Sequence, residues 1–117
     1  MVTRFHAAAK VMALAALSFP QFASAQESSG FTGAQVLEWA EGQQNAYFQA
    51  SVTMIAIVAT QVKGREHIAN CIDGWYGGGD ASQPQRSARI LEVMQAMPQY
   101  HPQAIVLAVI EDACGDF

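Results

Sequence analysis

From Gln44 to Val62 the chain carries no charged side chain, and a run of that length must be placed before anything else. Tyr47, Phe48, Val52, Ile55, Val58 and Val62 recur at spacings of three to four, the period of an α-helix. Met54 and Ile57 widen the apolar face, which predicts a central helix contacted from several sides. The frequency of β-branched residues keeps a pair of strands as the competing reading. Gln49, Ser51, Thr53, Thr60 and Gln61 make the segment a poor membrane span.

The chain has 117 residues, of which 51% are hydrophobic and 14% charged. Part of the apolar excess sits at the N terminus. Arg4 and Lys10, the apolar run Val11–Phe19 and then Ala23-Ser24-Ala25 describe a secretory signal peptide over residues 1–25. The run is about half the length that a membrane-spanning helix needs. Cleavage after Ala25 leaves residues 26–117, with four cations (Lys63, Arg65, Arg86, Arg89) against ten carboxylates, a net charge of −6. That balance argues against nucleic acid and against anionic membrane surfaces as partners. The expected location is periplasmic or secreted.

The mature chain reads as one all-α domain, a small bundle of four to five helices. Thr32 and Gln35 form a capping-box pattern, Phe31 and Val36 sit where a hydrophobic staple would close, and Gly42 is the expected stop. After Lys63-Gly64, residues 65–76 present Ile68, Cys71, Ile72 and Trp75 on one side, and Gly77-Gly78-Gly79 ends that helix. Ser82-Gln83-Pro84-Gln85 opens the next, whose stripe is Ile90, Leu91, Met94 and Met97, closed by Pro98. Pro102 starts the last, with Ile105, Val106, Val109, Ile110 and Ala113 inward and Gly115 as its cap. Met54, Met94 and Met97 suit a core, and a seam between two copies of the chain is the other place the pattern allows.

Cys71 and Cys114 are the two cysteines of an exported chain and are read as one disulfide. Metal chemistry is the alternative, because His67 and Cys71 share a helix face, but no cluster supplies the remaining ligands. No metal and no cofactor are therefore expected. Catalysis has little to work with. Gly77-Gly78-Gly79-Asp80 lacks the lysine and hydroxyl of a phosphate loop, no serine elbow occurs, and Glu38/Glu41 and Glu111/Asp112 do not form a glycosidase pair. His67 and His101 are the histidines left for acid–base work. The expectation is a non-catalytic binding protein.

Its contact residues are sought in the loops. With Trp75 assigned to the core, Asp73, Tyr76 and Asp80 remain at the rim of the glycine turn, and Tyr100 and His101 occupy the next connection. An acidic chain suits a basic protein partner. Spacing alone leaves open whether the two loops meet.

Thr32-Gly33-Ala34-Gln35-Val36-Leu37-Glu38-Trp39 resembles the opening of the Rap/Tai immunity proteins, and Gln85–Met97 with Pro98 and the apolar helix Ala104–Cys114 is similar to their second half. The resemblance implies a small exported helical protein that protects bacteria against type VI secretion amidase toxins. Family members carry further cysteines near positions held here by Ala40 and Tyr47, so no toxin-contact residue is carried over. In size, export and single disulfide the chain is also similar to HdeA-type periplasmic acid chaperones, the alternative function.

Overall fold

A computed structural model describes residues 30–77 and 82–117. The signal peptide expected over residues 1–25 and the turn residues Gly78, Gly79 and Asp80 lie outside the described residues. The described chain is all-α. Its helices are α1 (Gly33–Leu37), α2 (Glu41–Gln61), α3 (Glu66–Tyr76), α4 (Ser82–Ala96) and α5 (Pro102–Cys114). None of them is long and apolar enough to cross a membrane.

α1 is a short lock at the head of the bundle. Gln35 reaches back to accept the Thr32 amide at 3.2 Å. The free amides of the first turn are satisfied from elsewhere in the chain: Gly33 donates to the Tyr100 carbonyl at 2.8 Å and Ala34 to the Pro98 carbonyl at 2.9 Å. Gly33 is needed for that approach, since a methyl there would fall 2.7 Å from Met94 Cγ and 3.1 Å from Ile105 Cδ1. The expected stop at Gly42 is not where α1 ends. The helix closes at Leu37, and Gly42 lies in the first turn of α2. The cause is Gln44, buried, whose Nε2 donates to the carbonyls of Val36 at 3.0 Å and Leu37 at 3.4 Å. A side chain from α2 thus caps the end of α1, and Ala40 in extended backbone makes the bend.

α2 and α3 form an antiparallel pair across a turn in which Gly64 takes a φ of +84°, a left-handed conformation that suits glycine. α2 buries Gln44, Phe48, Ser51, Val52 and Ala59. It is not the surrounded helix expected from its composition. Met54, Ile57, Val58 and Val62 are 59, 52, 40 and 39% exposed, so one long side is covered and the other is not.

α3 contributes Ile68, Ile72 and Tyr76, α4 Ser87, Ile90 and Met94, and α5 Ile105, Val106, Val109 and Ile110 to the core. Met97 and Ala113, placed inside by the pattern, are exposed, and Met94 alone of the three methionines is buried. His101 caps α5 with its side chain: Nδ1 accepts the Gln103 amide at 3.0 Å. At the far end Gly115, at φ +104°, donates to the Glu111 carbonyl at 2.9 Å. Arg65 Nε holds the C-terminal residue through the Phe117 carbonyl at 2.8 Å.

Cys71 and Cys114 are joined in a disulfide with Cα atoms 5.7 Å apart. The link ties the middle of α3 to the last residue of α5 and encloses α4. Two stability outcomes follow. Replacing both cysteines by serine frees a loop whose closure is worth at most about 4 kcal/mol, and urea melts of wild type and double variant should differ by a sizeable part of that. Gly33→Ala should cost about 1–3 kcal/mol through the clash with Met94, and Gly33→Ala combined with Met94→Ala should cost less than the two single changes summed.

Candidate partner-binding site

Two surface features lie on either side of α2. The first is a trough between α2, the end of α3 and the start of α4. Glu41, Asn45 and Gln49, four residues apart, form one wall; Gln83, Pro84 and Ser87 form the other, and the hollow measures about 500 Å³. Tyr76 makes the floor, its hydroxyl 3.2 Å from Ser87 Oγ. Tyr76 is the last residue of α3 and is only 5% exposed, so it closes the trough from below. The trough continues into a second hollow of about 420 Å³, where Thr53, Ile57 and Thr60 face Asn70 and Asp73. From Glu41 to Thr60 it follows α2 for roughly 28 Å at 1.5 Å per residue.

The trough is lined by side-chain amides and bordered by carboxylates. Glu41 and Asp73 make no ion pair with any described residue. The three arginines of the described chain are engaged elsewhere. Arg86 Nε donates to the Trp75 carbonyl at 2.9 Å with its guanidinium 5.4 Å from the Trp75 ring centroid. Arg89 pairs with Glu92 and Arg65 with the Phe117 carbonyl.

The second feature is an aromatic patch around Phe31. Its ring stacks on Trp39 at 5.8 Å and meets Tyr47 at 6.0 Å and His101 at 5.6 Å edge-on, while Trp39 and Tyr47 meet at 5.5 Å. All four rings are half-buried. Gln103 fixes the patch to α5, its Nε2 donating to the Tyr47 hydroxyl at 2.8 Å and to Ser51 Oγ at 2.7 Å. Burial pushes the Tyr47 hydroxyl above its ordinary range, against the opposing effect of the hydrogen bonds with Gln103 and Ser51.

The residues picked from sequence divide between these features. Asp73 and Tyr76 belong to the trough, Tyr100 and His101 to the side of the aromatic patch, and Asp80 lies outside the described residues. They do not form one surface. At about 100° per residue, the α2 positions that face the trough (Asn45, Gln49) and those that face the patch (Tyr47, Ser51) point roughly 120–160° apart. Tyr76, expected at the rim, is in the core at 5% exposure, while Trp75, expected in the core, is half-buried and packs against it. The series Ile68, Ile72, Tyr76 steps by four residues down one side of α3, so the signal was present and Trp75 drew attention from it. Asn45, Gln49, Gln83 and Ser87 were not singled out, because isolated polar residues on helices carry no motif. Among the described residues no group of three or more His, Cys, Asp or Glu side chains is arranged to hold a metal ion, and Cys71 is bound in the disulfide.

No protein-family model matches the chain, and no curated protein or solved structure is similar enough to count as a match.

The half-buried Tyr47 hydroxyl has a consequence for stability. With its ionisation raised in the folded chain, Tyr47 stabilises the fold fully below the unfolded value near pH 10, and that contribution fades as the pH rises further. Thermal melts between about pH 8 and 11 should show the decline, and Tyr47→Phe should make it shallower.

Proposed function

We propose that this chain is an exported, non-catalytic binding protein whose partner is a basic protein, in the manner of an immunity protein that occupies a type VI amidase toxin. The observation that carries the reading is the trough with two unpaired carboxylates, Glu41 and Asp73, at its borders. Side-chain amides such as Asn45, Gln49 and Gln83 both donate and accept, which suits the backbone of an inserted loop. The carboxylates suit its lysine or arginine. A net charge of −6 over residues 26–117 steers such a partner from a distance. The aromatic patch supplies Trp39 and Tyr47, residue types that anchor protein contacts.

The test is binding to the toxin encoded beside the gene, with survival of cells that produce both proteins. Association should slow as salt is raised, and Glu41→Lys with Asp73→Lys should reduce the association rate about ten-fold or more. An association rate indifferent to salt and to both substitutions would remove the trough from the mechanism. Failure to bind or protect against any neighbouring gene product would remove the immunity role.

A further inference from the structure

We propose that the outer face of α2 is a self-association surface, on which two copies of this chain pack α2 against α2, antiparallel, about a two-fold axis. The face is apolar and uncovered. Ile57 stands out from its middle at 52% exposure and Met54 from its edge at 59%. Beside them lies an apolar hollow of about 380 Å³ whose walls include Ala46, Ala50, Thr53 and Ile57.

The occupant follows from shape and from charge. Ala46, Ala50, Thr53, Ile57 and Thr60 alternate steps of four and three along the outward line, the spacing of a helix seam. Alanines occupy its first half, and the one large side chain, Ile57, lies in its second. Turned antiparallel, Ile57 of each copy meets Ala46 of the other and Ala50 meets Thr53, so each protrusion enters the other copy's hollow. This register centres the overlap on the helix and is the same seen from either copy, as a two-fold contact requires. A parallel arrangement sets Ile57 on Ile57 and leaves Ala46 facing Ala46 across a gap. Charge points the same way. Between Gly42 and Val62 the helix holds no charged side chain, so two acidic chains meet there without repulsion, whereas a basic partner finds no carboxylate to pair.

The contact is modest in area. A helix of 21 residues is about 31 Å long and 10 Å wide, which gives roughly 600 Å² for two copies before the flanking Met54 and Val58 are added. That is about half of what a stable interface buries, so the association is weak and reversible. Gln49, Thr53 and Ile57 border both the hollow and the trough, so the second copy would raise the trough's outer wall. The inference rests on the exposed face and stands whichever partner the trough takes.

Sedimentation of the purified gene product, with its N terminus read by mass spectrometry, decides it. From about 5 µM to 1 mM the mass should rise from one chain towards two, and added salt should not weaken the association. Ile57→Glu and Ala46→Lys, both at exposed positions and checked for an unchanged helical signal, should each stay monomeric, and mixing them one to one should restore the dimer. A mass of one chain throughout, or a dimer that persists in Ile57→Glu, overturns the proposal. Restoration by mixing Ile57→Glu with Ile57→Lys, in place of the Ala46 variant, overturns the antiparallel register.

Discussion

The longest helix, α2, has more apolar surface than the rest of the described chain covers. A domain of this size has a high ratio of surface to volume, and helices of 11 to 15 residues line only one side of a neighbour that runs for 21. Phe48, Val52 and Ala59 take the core, and Ile57 on the opposite side is left half in solvent. Everything distinctive about the surface follows from this one-sided use of α2. The trough runs between α2, the end of α3 and the start of α4, and the apolar hollow lies on the side of α2 that no other described helix covers.

A core built on one side of its longest element needs reinforcement, and the chain supplies it at both ends. At the head, α1 is held by Gly33 and Ala34 on the carbonyls of the α4–α5 connection and by Gln44 of α2 on its last carbonyls. Five residues cannot sustain a helix alone, so α1 exists because these partners satisfy both its ends. At the foot, the disulfide and the hold of Arg65 on Phe117 join α3 to the end of the chain. The two clamps act on different helices, α1 with α2 and α3 with α5, and α4 is trapped between them.

How much of this was legible in the residues depends on the kind of signal. Helix existence was, because Pro84, Pro102, Gly64 and Gly115 punctuate stretches of clear period, and so was the link between Cys71 and Cys114 in a chain read as exported. Which face of α2 is covered was not. A helix apolar on all sides has no preferred direction of burial, and only the lengths of its neighbours determine which side stays open. The same holds for Gly42, whose reading as a stop ignored a glutamine two residues on that could cap the preceding helix. Tyr76 was misplaced because its neighbour Trp75 is the larger ring, although Tyr76 continues the four-residue series of Ile68 and Ile72. The aromatic patch joins Phe31, Tyr47 and His101 from three parts of the chain, and no local pattern announces such a meeting.

Around the circumference of α2 the environments follow one another in a fixed order. Starting from Asn45 and Gln49 at the trough, about 100° of rotation leads to Ala46, Thr53 and Ile57 on the outer side, a further 100° to Tyr47 at the aromatic patch, and the rest to Phe48 and Val52 in the core. Across the exposed surface of α2 the polar trough and the aromatic patch are therefore separated by the apolar outer side. A rigid partner small enough to sit on one feature does not touch the other, and one that engages both must cross Ala46, Ala50 and Thr53 on the way. The outer side thus sets which contacts can coexist. Covered by a second copy, it leaves trough and patch as separate sites; left open, it is the path along which a larger partner reaches from one to the other.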